Sequence, residues 1–107
     1  MTQQSEAFDD LAQQAHELRL PAVVTHDRAD ACAAALRKAL TLSRKIALVV
    51  RVDAGALQQF DSSVLAVLLD CRRAAVAMGL TFRVAHLPDR LRQLAALYGV
   101  SDLLSAA

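Results

Sequence analysis

The chain alternates between short apolar runs and stretches in which apolar residues recur every three or four positions. Residues 46–52 form a β-branched run without alternation, which predicts a strand covered on both faces. Residues 18–24 predict another strand, placed at a sheet edge or a bulge because Pro21 has no N–H to donate. Residues 80–85 alternate between apolar and polar, which predicts a further strand near a sheet edge.

Three segments with helical periodicity separate and follow these strands. They cover about residues 28–42, about residues 62–78, and a segment that begins at Pro88. Gly79 and Gly99 follow the second and third segments and predict their C-termini, because glycine readily adopts the left-handed conformation found there. In the first helix, the predicted inward stripe consists of Ala29, Cys32, Ala33, Leu36 and Leu40.

The connecting segments are polar or ambiguous. Residues 1–6 are polar and predicted to be disordered, whereas residues 7–17 fit either a helix or an edge strand. Residues 25–27, Thr-His-Asp, supply cap chemistry for the first helix. Residues 53–60 predict a loop, and residues 100–104 predict a final short turn.

This order of strands and helices predicts a single α/β domain over residues 7–107. We expect a small mixed or partly parallel sheet of about four strands, flanked by three to four helices. A chain of 107 residues leaves no room for a second core. Function in such domains usually lies at the carboxyl ends of the strands, which is where Asp53 and residues 61–63 fall.

Charge and composition narrow the classes of function. The formal net charge is +1, the basic residues are interspersed with acids and aromatics are 4% of the chain, so nucleic-acid binding is not expected. The apolar run at residues 64–69 is far shorter than the ~20 residues of a membrane span, so no direct membrane insertion is expected. Cys32 and Cys71 lie singly in helical patterns, as reduced thiols of a cytoplasmic protein do. No signal-peptide pattern opens the sequence, which also favours the cytoplasm.

The most informative segment is residues 60–65, Phe-Asp-Ser-Ser-Val-Leu, at the start of the second helix. Free N–H groups and the helix dipole at such an end favour negative charge by about 0.3–1 kcal/mol. Asp61 or Ser62 is the predicted N-cap, and Ser62 is also a candidate for partner contact or phosphorylation. Ser63 is either a contact residue or a solvated first-turn serine.

Three further positions are candidates for binding or support. The outward face of the second helix continues through Ala66, Asp70 and Arg73. The small side chain of Ala66 permits a partner to approach closely. The charges of Asp70 and Arg73 either set the register of a partner or form an i,i+3 ion pair with each other. Tyr98 is either a further partner residue or a partly buried ring with a surface hydroxyl. Asp53 either positions the following loop by accepting N–H bonds or meets solvent.

Signals of enzymatic chemistry are weak. His16, His26 and His86 lack the spacing of metal ligands, and three isolated glycines cannot form a phosphate-binding loop. The Asp61–Ser62 pair has no plausible general base nearby in the pattern. We therefore expect no catalytic residue, no metal and no cofactor.

An apolar strand ending at Asp53, an Asp-Ser helix start at residues 61–62 and an amphipathic last helix together resemble the STAS family over residues 18–104. In that family's anti-sigma factor antagonists, a partner kinase phosphorylates the hydroxyl residue directly after the Asp, and the matching residue here is Ser62. Where the family usually has Gly, this chain has Val64, whose bulk is expected where a kinase would approach. This departure concerns phosphorylation more than the fold.

Residues 86–104 are similar to the MlaB-type members of the family, small cytoplasmic subunits of the Mla phospholipid-transport ABC system. The resemblance implies a non-catalytic protein that binds and supports the ATPase subunit, in the maintenance of outer-membrane lipid asymmetry, and lies at the inner membrane through that partner. The alternative is an anti-sigma factor antagonist bound by a kinase. The expected contact residues are Asp61, Ser62, Ser63, Ala66, Asp70, Arg73 and Tyr98.

Overall fold

Two parallel sheets make up the β-structure of residues 15–104, the part of the chain described by the computed structural model. The strands, in chain order, are β1 (Ala15–Arg19), β2 (Val23–Val24), β3 (Val49–Asp53), β4 (Gln59–Phe60) and β5 (Thr81–Ala85). The larger sheet has the order β1-β3-β5, and β2 pairs with β4 in a second, two-stranded sheet. The prediction of about four strands in one sheet is therefore corrected to five strands in two sheets.

Helices connect and follow the strands: α1 (Ala29–Ser43), α2 (Ser63–Ala77) and α3 (Asp89–Leu97). Short 3₁₀ turns lie at His26–Arg28 and Ser101–Leu104, and the second of these is the predicted final turn. The predicted α/β class and the three helices are confirmed. Of the ambiguous segment 7–17, residues 15–17 lie in β1; its remainder and residues 1–6 fall outside the described residues.

One hydrophobic core lies between the larger sheet and the helices. The three strands lie side by side in the order β1-β3-β5, the same order in which they occur along the chain. Both crossovers therefore run in the same direction across the sheet and place α1 and α2 on one face of it. The stripe predicted for α1 faces this core. The largest fully buried side chains of the core are Leu20, Val24, Leu40, Val50, Val52, Val64, Leu68, Cys71, Val84, Leu91 and Leu104.

Two strand predictions need correction. The strand expected at residues 18–24 is divided between β1 and β2, and the break falls at Leu20–Ala22, where Pro21 cannot donate to a ladder. Residues 46–48 precede β3 as a turn, and β3 alternates between fully buried Val50 and Val52 and half-buried neighbours. The expectation of a strand buried on both faces is therefore wrong.

Glycine ends both α2 and α3, as predicted. Gly79 has φ +79° and Gly99 has φ +73°, in the left-handed region that glycine adopts without strain. After α2, the N–H groups of Gly79 and Leu80 donate to the carbonyls of Val76 and Ala75 (3.0 and 2.9 Å), which satisfies the last carbonyls of the helix. These two stops fix where each chain segment turns back toward the sheet.

The cap predicted for α1 is wrong. The Thr25 hydroxyl donates to the Asp27 carboxylate (2.5 Å) rather than accepting an N–H bond at the helix start. A 3₁₀ turn leads into α1 instead, and Arg28 at the N-cap makes no side-chain cap bond. The acceptor at this turn comes from a distant part of the chain, at the start of α2.

Candidate functional site: the tip of α2 and the groove beside it

Asp61 joins the starts of two helical segments at the carboxyl edge of the sheets. Its Oδ1 accepts hydrogen bonds from the Ser63 N–H (2.9 Å) and from the Ser63 hydroxyl, while Oδ2 accepts from the His26 N–H (2.9 Å). The Ser63 hydroxyl above all, and then the two N–H groups, hold the pKa of Asp61 below its ordinary value. The carboxylate therefore stays ionised and ties the 3₁₀ turn before α1 to the first turn of α2.

Ser62 is left at the apex of this junction. Its side chain is exposed, and it stands at the N-cap position of α2 without making a side-chain cap bond. Since Asp61 supplies the cap, the Ser62 hydroxyl is available to a partner at the positive end of the helix. Val64 is fully buried, so the expectation that its bulk faces an approaching kinase is wrong.

A surface groove of ≈ 360 Å³ runs between α1 and α2 and is called the α1–α2 groove below. Both helices contribute alanines, whose short side chains project little from the two walls, and charged side chains line the groove beside them. Ala66 and Asp70 follow Ser62 at intervals of four residues, so the groove and the tip share one helix face. The groove is lined by Ala29, Asp30, Ala33, Arg37, Ala66, Val67, Asp70 and Arg73.

One ion pair crosses the groove. Arg37 Nη1 lies 2.5 Å from Asp70 Oδ2, with the two side chains 49% and 31% exposed. Of the two alternatives for Asp70 and Arg73, the i,i+3 ion pair is therefore wrong, because Asp70 is paired across the helices. Among the described residues, no salt bridge is found for Arg73 or for Asp30, so each keeps its charge available along the groove.

Asp53 lies at the end of β3, beside the loop that leads to β4. Its Oδ1 accepts a hydrogen bond from the Gly55 N–H (2.8 Å) and lies 3.1 Å from His86 Nδ1. The Gly55 N–H is the main cause that lowers the pKa of Asp53, with a further contribution from His86. A Cβ on Gly55 would lie 3.0 Å from Asp53 Oδ1 and 3.3 Å from His86 Cβ, so a larger residue there would push these two side chains aside by a few tenths of an ångström. His86, which has φ +59°, follows β5 at the same edge.

The structure brings most of the predicted contact residues onto one helix face. Asp61, Ser62 and Ser63 form the tip, and the α2 members of the groove continue from it. Tyr98 follows the last residue of α3, is 58% exposed and does not line the groove. Its part in partner contact stays a prediction.

The sequence reasoning missed the residues that α1 contributes. Asp30 and Arg37 line the groove, together with Ala29 and Ala33, which were predicted only for the inward stripe. Asp30, Ala33 and Arg37 have the i, i+3, i+7 spacing of one helix face, which was the available signal. The hydrogen bond between Asp61 and His26 spans 35 positions and has no local signature.

The described residues contain no cluster of three groups that could hold a metal ion. Cys71 is fully buried, and burial raises the pKa of its thiol to about 12; burial also raises the pKa of the half-buried Cys32. Both thiols therefore stay protonated and are poor nucleophiles. Within residues 15–104, no helix combines the length and hydropathy needed to cross a membrane.

A parallel α/β domain whose central helix begins at an exposed Asp-Ser tip is the arrangement of a STAS domain, a class that acts through protein–protein contacts and is generally non-catalytic. The chain belongs to the STAS family described as Mlab, STAS domain, whose model matches residues 7–105. The resemblance seen in the sequence is thereby confirmed. Among curated proteins, no sequence matches this chain significantly.

Proposed function

We propose that this protein is a non-catalytic subunit that binds the ATPase of an ABC-type phospholipid transporter and supports its assembly and activity. The observation that carries the proposal is the exposed Ser62 tip, which continues into the α1–α2 groove along one helix face. The family description favours a partner of this transport system. The protein would act in the cytoplasm, at the inner membrane, through contact with that ATPase.

The groove fits an α-helical segment of the partner. Its alanine walls allow the backbone of a second helix to approach closely, since they carry no long side chains. Asp30 and Arg73 are not salt-bridged among the described residues, so the fitting segment carries a basic side chain opposite Asp30 and an acidic one opposite Arg73. A stable contact centred here buries about 1,200–2,000 Å² in total.

Substitution of Ser62 tests this function. We expect Ser62→Arg to abolish pull-down of the purified ATPase subunit, because it places a long cation at the exposed tip. Its free energy of unfolding should fall by no more than about 1 kcal/mol, since the Ser62 side chain makes no cap bond and the added cation meets only the positive end of the helix. Gln93→Arg, an exposed position on α3, is the matched control and should bind normally.

Full ATPase binding by a folded Ser62→Arg protein would contradict the proposed surface. Equal loss of binding in the Gln93→Arg control would show that the effect comes from added charge and not from the tip. Either outcome removes the support that the tip gives to the transporter role.

The exposed Ser62 hydroxyl also supports a second candidate, an anti-sigma factor antagonist switched by phosphorylation. A phosphate on Ser62 would meet the favourable helix end but also the ionised Asp61 beside it, which opposes the added charge. Intact mass after incubation with ATP and a kinase that binds the protein distinguishes the two functions. The transporter role predicts no mass increase, whereas one phosphate on Ser62 would favour the switch.

A further inference from the structure

The amino ends of the strands form a second surface, opposite the tip of α2. The helices α1 and α2 connect parallel strands and run antiparallel to them, so their C-termini lie at that end, which is called the amino pole below. Four of the large apolar side chains that stand exposed among the described residues lie at the ends of these helices or just before β3. They are Leu42, Ile46, Leu48 and Val76.

The turn between α1 and β3 presents three of these side chains on a fixed backbone. Ser43 is fully buried, and its carbonyl accepts hydrogen bonds from the N–H groups of Ile46 and Ala47 (both 3.0 Å). The Ser43 hydroxyl donates to the Ala39 carbonyl (2.8 Å), and His16 Nδ1 lies 2.5 Å from Ser43 Oγ. Ala47 is also buried, so the backbone is held at two points.

The residues between and beside these two buried positions point outward. Leu42, Ile46 and Leu48 are 60%, 49% and 67% exposed. Arg44 and Lys45 lie between them and are exposed as well. Aliphatic side chains flanking a pair of cations on one rigid turn match the two layers of a membrane surface, anionic headgroups above hydrocarbon.

The turn lies within a basic stretch of the sequence. Residues 31–52 contain five basic residues and no acidic one, so the expectation that bases are interspersed with acids is wrong over this stretch. Arg51 is paired with Glu17 (2.9 Å), and Arg37 with Asp70. Arg44 and Lys45 form no salt bridge with any other described residue. Their charge is therefore offered to whatever covers the turn.

We propose that the amino pole docks on the surface of an anionic phospholipid bilayer. Leu42, Ile46 and Leu48 enter the headgroup boundary, and Arg44 and Lys45 contact lipid phosphates. A second copy of the chain fits less well, because a symmetric pair would bring these cations against the same cations of its mate. This inference goes beyond the proposed function, and the docked orientation leaves the tip and the α1–α2 groove facing away from the bilayer.

Flotation of the full chain with vesicles tests the proposal. The wild type should bind vesicles of phosphatidylcholine containing about 30% phosphatidylglycerol, and about 0.3 M salt should weaken this binding. It should not bind vesicles of phosphatidylcholine alone. Arg44→Gln/Lys45→Gln should lower the partition coefficient about 30-fold, as expected for two basic residues near an anionic surface.

Two further variants distinguish binding through the amino pole from an effect of the overall charge of the protein. Arg28→Gln/Arg90→Gln removes the same number of charges from exposed residues near the carboxyl edge and should bind vesicles like the wild type. Leu42→Ser/Leu48→Ser should bind less than the wild type while keeping its thermal melting curve, because both positions are exposed.

Three results would overturn the proposal. The first is a wild type that does not float with anionic vesicles. The second is an equal loss of binding in Arg44→Gln/Lys45→Gln and in the control pair. The third is a wild type that does not bind vesicles but forms a dimer in light scattering, which Leu42→Ser/Leu48→Ser dissociates. That result would mean that the amino pole is an interface between two copies of the chain. None of these results depends on the ATPase.

Discussion

Asp61 and Ser62 are neighbours in the chain but have different roles. The hydrogen bonds of the Asp61 carboxylate determine the role of each residue. Asp61 uses its two oxygens to hold the first residues of two helical segments, which leaves the adjacent hydroxyl without a structural duty. A serine that capped its own helix would be turned toward the backbone. Here the cap is one residue earlier, and the residue at the apex can be changed with little cost to the fold.

Removal of the Asp61 carboxylate should make stability less dependent on pH. Since the pKa of Asp61 is lowered in the folded protein, its contribution is present above the unfolded pKa and is lost as pH falls through the folded pKa. Asp61→Ala should therefore melt below the wild type at pH 7. The gap should begin to narrow below about pH 4, where the Asp61 carboxylate of the unfolded chain takes up a proton, and should close as the pH falls through the lowered pKa of the folded protein.

Thermal melts of both proteins from pH 7 to about pH 2.5 measure this effect. Asp89→Ala provides a comparison, because Asp89 is an exposed carboxylate in the first turn of α3 that is paired locally with Arg92. Its melting temperature should differ less from the wild type at pH 7. A gap for Asp61→Ala that stays constant across the acid range would contradict the assigned role of the carboxylate.

At the scale of elements, α1 and α2 act as the two walls of one surface. They pack side by side, share the core through residues such as Leu40 and Leu68, and are bridged by Arg37 and Asp70. Neither helix alone presents the groove. The width of the groove is therefore set by the packing of the two helices. A partner helix bound in it contacts both helices at once.

The bridge itself should contribute little to stability. In a double-mutant cycle of Arg37→Ala and Asp70→Ala, we expect a coupling energy of about 0.2–1 kcal/mol, because both side chains are substantially exposed and screened by solvent. Urea unfolding of the four proteins measures it. A coupling above about 2 kcal/mol would mean that the pair is shielded from water to a degree that its exposure does not show.

Substitution within the groove should separate binding from folding. Ala66→Arg fills the α2 wall and should abolish ATPase binding, whereas Ala35→Arg, on the outer side of α1, should leave it intact. Both alanines are exposed, so each variant should unfold within about 0.5 kcal/mol of the wild type. Calorimetric titration with the ATPase subunit measures the difference. Normal binding by Ala66→Arg would place the partner elsewhere.

The elements themselves could be predicted from local sequence because their signals are local. The helical periods, Gly79 and Gly99 lie within the segments they define, and they predicted α2 and α3 closely. The paired strands β2 and β4 could not be predicted, since two residues each carry no period and their partners lie far apart in the chain. The ion pair between Asp70 and Arg37 could not be predicted for the same reason. The i,i+3 spacing of Asp70 and Arg73 was visible in the sequence, but the packing of α1 against α2 was not.

At the scale of the whole molecule, the fold separates two poles with different chemistry. The carboxyl pole carries the tip, Asp61 and Asp53, and the amino pole carries exposed aliphatic residues with Arg44 and Lys45. An α-helix of fifteen residues such as α2 is about 22 Å long, so one molecule can contact two different surfaces at once. The core between them keeps the poles in a fixed relation.

The core should dominate global stability. Leu68 is fully buried, and Leu68→Ala should lower the free energy of unfolding by about 2–5 kcal/mol through lost burial and a residual cavity. Leu97 is 78% exposed, so Leu97→Ala should change it by less than about 0.5 kcal/mol. Denaturant unfolding compares the two. A large loss for Leu97→Ala would mean that this side chain is covered, against its exposure in the structure.

Affinity purification of the chain from native membranes, with quantitative mass spectrometry of the proteins that accompany it, tests the central claim most directly. The wild type and Gln93→Arg should enrich the ATPase subunit of an ABC transporter, and Ser62→Arg should not. Enrichment of a kinase in its place, or the same ATPase recovery with Ser62→Arg as with the wild type, would contradict a transporter subunit that binds through the tip of α2.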